Sequence, residues 1–178
     1  MSRDSASPDP PAASRPNGPP ATPAFASTEW RLLTRLPGQA VVAATLVPPA
    51  DPPQPGHAVG IARAGLEGIA AGRAFDSELV RAVVRGVFAE ADQGRGVEPA
   101  RTDRRGALAD LYAACGAVVG LLAERADLAD SAAYRQWVQS AAVRVCRAAW
   151  RDAPTSDPPL SAGQQRFLDN LGTALNLP

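Results

Sequence analysis

Two long stretches of helical periodicity between Ala107 and Trp150 limit this chain to few architectures. The first, LADLYAACGAVVGLLAERA, sets Leu108, Leu111, Tyr112, Cys115, Val118, Val119 and Leu122 at i, i+3, i+4 and i+7. The second, SAAYRQWVQSAAVRVCRAAW, repeats the pattern with Tyr134, Trp137, Val138, Ala141 and Val145. A short turn near Asp127 to Asp130 separates them, which predicts an antiparallel helical hairpin. Thr102 or Asp103 is the expected cap of the first arm, and Gly116 and Gly120, one turn apart, predict a small-residue seam along its middle.

The flanks extend the helical reading. Residues 1–28 are rich in Pro, Ser and Ala, and only Phe25 could anchor them, so a disordered tail is expected there. The globular part is then 29–178, within the usual range for one domain. In EWRLLTRLPGQAVVAATLV, Trp30, Leu33 and Leu36 share a face, and Pro37 ends the helix or restarts it as a second one running to Leu46. The run PPADPPQPGH is a loop. Ala58 to Arg73 reads as a helix with Ile61, Leu66 and Ile69 inward. Its glycines at 60, 65, 68 and 72 are each costly in a helix, which implies that another helix comes close.

Asp76 is the expected N-cap of the next helix, with Phe75 stapled on Val80 and a buried stripe of Leu79, Val83, Val87 and Phe88. In the last element Ser161 and Gln164 form a capping box, and Phe167, Leu168, Leu171 and Leu175 make the apolar face. No alternating segment of strand length occurs. The expectation is an all-α single bundle of about six helices around the central hairpin.

Composition narrows function more by exclusion than by indication. Basic and acidic residues balance at 18 each, and every basic residue is Arg, a bias that looks like a GC-rich bacterial genome. Balanced charge argues against a general nucleic-acid binder, whose affinity rests on clustered positive charge. The longest strongly apolar run, Leu111 to Ala123, falls short of the roughly 20 residues of a membrane span, so no transmembrane segment is expected. The N-terminus has no apolar core of the secretory kind, and a cytoplasmic location follows by default.

Candidate chemistry is sparse. His57 is the single histidine, which rules out a His-pair metal site. Cys115 and Cys146 lack metal-ligand spacing and read as buried thiols, with Cys146 the better nucleophile because Arg144, Arg147 and Arg151 lie near it in sequence. Asp127 with Asp130, and Glu90 with Asp92, sit at helix ends where acids serve as caps. No catalytic residue, metal site or cofactor motif is assigned. Arg101, Arg104 and Arg105 cluster at a helix start, where the dipole favours acids, so they are the candidate anion or nucleic-acid site. Trp30, Leu33 and Leu36, next to the tail, are the candidate interaction surface.

The C-terminal third resembles the tellurite-resistance TerB-like family. Leu160-Ser161 matches the start of that family's last helix, Phe167-Leu168 its apolar pair and Leu175-Asn176-Leu177 its close, while Asp51 in VVAATLVPPADPPQPG stands at an earlier turn. The resemblance implies a helical fold and a stress- or envelope-linked role. It does not carry the family's metal, because Gln164 replaces the acidic residue of the last helix and no Glu follows Asp51 in the matching place. The leading expectation is a non-enzymatic helical interaction or scaffold module with a protein partner or a second copy of itself. The alternatives are a regulatory protein that binds anions or nucleic acid through the arginine cluster, and an enzyme with an interhelical pocket.

Overall fold

A computed structural model describes residues 25–49, 57–94, 103–148 and 160–178. All regular structure in these residues is helical: α1 (Ser27–Thr45), α2 (His57–Ala70) followed by a 3-10 turn (Ala71–Ala74), α3 (Glu78–Asp92), α4 (Arg104–Arg125), α5 (Leu128–Ala148) and α6 (Ala162–Ala174). The six-helix, all-α expectation holds. The Pro-rich head and the loop arginine at 101 lie outside the described residues.

The hairpin of α4 and α5 is present, but its two arms are unequal. Helix α5 touches every other helix, whereas α4 packs mainly on α1. The centre is therefore α1 beside α5. Helices α2 and α3 touch both of these, and α6 closes the far side against α5 and α4. Tyr134, Trp137, Val138, Ala141 and Ala142 of α5 are wholly buried, with Leu33, Leu36 and Ala40 of α1, Leu79, Val80, Val83 and Val84 of α3, and Leu111, Cys115, Val118 and Leu122 of α4 around them.

Helix α1 runs unbroken through Pro37, contrary to the expected break. Proline has no N–H, so the carbonyl four residues earlier, on Leu33, is left without its helical donor. The hydroxyl of Tyr134 supplies one, donating to Leu33 O at 2.8 Å in the buried centre. A buried carbonyl left unmade would be costly; here a side chain of α5 replaces the missing backbone bond. Burial also pushes the Tyr134 phenol well above its ordinary range, which keeps the donor protonated.

Helix α5 serves other helices in the same way. The Trp137 indole N–H donates to Gly68 O, in the last turn of α2, at 3.2 Å. Arg135 donates to Asn176 O at 2.8 Å beyond the end of α6. In the opposite sense, the side-chain amide of Gln164 in α6 donates to the Cys146 carbonyl of α5 at 3.1 Å. Side chains of one helix thus satisfy backbone groups at weak points of three others, a role that periodicity alone does not reveal.

Helix starts follow capping chemistry, with one shift. Asp103 caps α4, accepting from the backbone of Arg105 at 3.2 Å and Gly106 at 2.9 Å. The Ser161–Gln164 capping box forms as the sequence indicates. For α3 the cap is Ser77, not Asp76: the Ser77 hydroxyl oxygen accepts from Val80 N at 3.1 Å and donates to Asp130 of α5. Asp76 is left exposed. The link to α5 decides between two residues that are equally good caps in isolation.

Candidate interaction surface

Each residue singled out in the sequence has a definite place in the fold. Leu33 and Leu36 have no exposed surface at all, and Trp30 is half-buried, packed against Gly86 of α3 and 6.4 Å from the Phe25 ring. The expected docking face of Trp30, Leu33 and Leu36 is therefore core. A helix that packs against both α4 and α5 uses its apolar stripe in folding, and Leu32, on its other side, is the large apolar residue of α1 left exposed. Arg104 and Arg105 are exposed in the first turn of α4, but the Asp103 carboxylate already occupies the first free N–H groups of that helix. An incoming anion would meet a carboxylate at that position, which weakens the anion-site reading.

The thiol chemistry is closed as well. Cys115 and Cys146 are buried, and desolvation pushes both thiols up to about 12. Neither is a thiolate near neutral pH, and a thiolate is what nucleophilic attack needs. The carboxylates are engaged in structure: Asp127 accepts from Asp130 N at 2.8 Å at the start of α5, and Glu90 accepts from the Thr34 hydroxyl at 3.1 Å. Gln164 is buried between Ser161 N and Cys146 O and acts as a cap. Among the described residues no group of three His, Cys, Asp or Glu side chains comes together to hold a metal. His57 opens α2, and its side chain lies outside the described residues.

What remains is apolar surface, and it lies where the sequence reading did not put it. Helix α2 seats its glycines against the core. A Cβ on Gly68 would lie 3.0 Å from the Cα of Ala141, and one on Gly72 would lie 2.6 Å from the Trp137 ring. Gly65 faces Val41 and Val145, so the predicted close approach occurs at three of the four glycines; Gly60 has nothing within 4 Å. With 3.6 residues per turn, burying positions 65, 68 and 72 turns 59 and 66 to the outside. Val59 is 74% exposed and Leu66 62% exposed. Leu66, expected inward, instead lies on the outer face with Ala62, flanked by an Arg63–Glu67 ion pair of 2.6 Å.

Helix α4 shows the reverse pattern. Its large side chains, Leu111, Cys115, Val118 and Leu122, go inward, and Ala109, Ala113, Gly116, Ala117, Gly120 and Ala123 are exposed. Gly116 and Gly120 have nothing within 4 Å, so the seam expected there is unfilled. The helix is also long and apolar enough, by length and composition, to cross a membrane, which the shorter Leu111 to Ala123 run did not suggest. Gly106, Ala107, Leu108 and Ala109 before that run extend it. In the fold its large-residue face is taken up by α1, α5 and α6.

Comparison with models of known families, with characterised proteins and with solved structures yields no match for the chain.

Proposed function

We propose that the chain is a helical interaction module that binds through the outer face of α2 and does no chemistry of its own. The observation behind this reading is the inverted packing of α2. Gly65 and Gly68 lie in the interior beside Ile69, while Val59 and Leu66, which would strengthen a core, stand in solvent one heptad apart. Scattered single apolar residues on a surface need no explanation, but two at helical spacing with an alanine between them form a stripe. The buried, protonated thiols and the carboxylates engaged as caps favour this reading over catalysis.

A photoreactive residue at position 66, introduced into the full chain in the cells that make it, tests the proposal. The expected result is a discrete covalent adduct that Val59→Glu suppresses, with none from the same probe at exposed position 89 on α3. No adduct at 66, or equal adducts at both positions, would overturn it.

A further inference from the structure

Resting on that reading, we infer that the partner of the α2 face is a second α2, in an antiparallel two-fold pair. Three features of the surface point to self-recognition. The first is its charge arrangement. The stripe carries one cation and one anion, Arg63 and Glu67, one turn apart and on the same side of the line through Val59 and Leu66. A two-fold axis perpendicular to two antiparallel helices keeps residues of the same side together. With the axis level with residue 65, Arg63 of each copy comes opposite Glu67 of the other and about 6 Å along the helix from the other Arg63, so each charge meets its opposite.

The second feature is size. The same axis brings the Leu66 side chains of the two copies together at the centre and sets Val59 of each near Ala70 of the other. Apolar side chains thus meet at the axis, and large faces small at the two ends of the contact, as interdigitating helices require. Gly60, with nothing within 4 Å, leaves further room for approach. The third is long-range electrostatics: the chain has equal numbers of acidic and basic residues, so two copies approach without net repulsion. An oppositely charged partner would instead suit a stripe of one sign, which this is not.

Magnitude sets the kind of association. Helix α2 has 14 residues and is about 21 Å long. One face of such a helix falls below the roughly 800 Å² per partner of a stable interface, so the pair should form and dissociate readily. The ion pairs are exposed and add more to register than to affinity.

Sedimentation equilibrium of the full chain, from roughly 5 µM to 1 mM at low salt, reads such a weak association. The weight-average mass should climb from 18.4 kDa towards twice that value. Leu66→Glu should hold it at the monomer value with an unchanged circular-dichroism spectrum. Arg63→Glu and Glu67→Arg should each weaken association by roughly tenfold, since each puts like charges in opposition. An equimolar mixture of those two variants should regain it as a heterodimer. The mixture separates pairing between copies from the ion pair within each helix, because each chain in it still lacks its internal pair. A mass fixed at the monomer value throughout, a rise that Leu66→Glu leaves intact, or a mixture no stronger than its components would overturn the inference. A monomer that still gives a position-66 adduct with another protein would overturn the self-pairing alone; a monomer without any adduct would overturn the interaction reading too.

Discussion

Helices α2 and α4 carry the same sequence mark, glycines a turn apart among apolar residues, and the fold uses that mark in opposite ways. In α2 and the 3-10 turn that continues it the glycines are the contact: Gly68 rides on Ala141 and Gly72 on Trp137. In α4 the contact is made by Leu111, Cys115, Val118 and Leu122, while Gly116 and Gly120 face outward over open space. The consequence for the surface is inverse. Ile69 goes inward with the glycines of α2, but Val59 and Leu66 on its other side face out, while α4 presents alanine and glycine. Glycine spacing therefore signals that a helix has a narrow face, without saying which way that face points.

Breaking the seat of α2 should have the largest effect. Trp137→Ala removes the ring that lies against Gly72 and the donor to Gly68 O. It should cost about 3–5 kcal/mol in urea unfolding, the range for a large buried aromatic. No comparable single residue holds α4, whose contact is spread over several aliphatic side chains.

The next effect sharpens the contrast between helices that rely on α5 for a hydrogen bond and one that does not. Tyr134→Phe leaves Leu33 O buried without a donor and should cost about 1–3 kcal/mol. Pro37→Ala restores the backbone N–H, so Tyr134→Phe in that background should cost clearly less. A double-mutant cycle that adds up without coupling would show that the proline and the tyrosine are independent.

The buried thiols give a pH dependence in which α4 and α5 share. Each thiol sits near 9.0 when free of the fold and is pushed to about 12 in it. The folded chain then holds protons that the unfolded chain releases, so stability is full below about pH 9 and falls as pH rises from there towards 12. Tyr134, raised in the same sense, adds to the fall above its ordinary value of 10.0. Thermal unfolding midpoints across pH 7 to 11 should be flat and then decline, and Cys115→Ala with Cys146→Ala should flatten the decline.

The fold class was legible because it depends on short-range periodicity, and so were the caps at Asp103 and Ser161, whose partners lie within three residues. What the sequence hid depends on contacts made at a distance. Pro37 reads as a break because the hydroxyl that repairs it lies far along the chain, 101 residues from Leu33. Asp76 and Ser77 are equivalent as caps until Asp130 of α5 selects the serine. Leu66 reads as core because leucine usually is; its outward position follows from glycines whose seat is on α5. The candidate surface was misplaced for the same reason. Leu33 and Leu36 form an ordinary apolar stripe, and only the packing shows that this stripe is enclosed and that of Val59 and Leu66 is not.

The smallest expected effect is also the most direct test of the inverted packing. The same substitution, glycine to alanine, is made at Gly68 in α2 and at Gly116 in α4, and unfolding free energies are compared in urea. At Gly116 alanine meets open space and removes the entropic cost of glycine, so stability should rise by about 0.5–1 kcal/mol. At Gly68 the new methyl group would press on the Ala141 backbone, 3.0 Å from its Cα, and stability should fall by about 1–3 kcal/mol. Opposite signs are the prediction; a gain at both positions, or a loss at both, would contradict the account of α2.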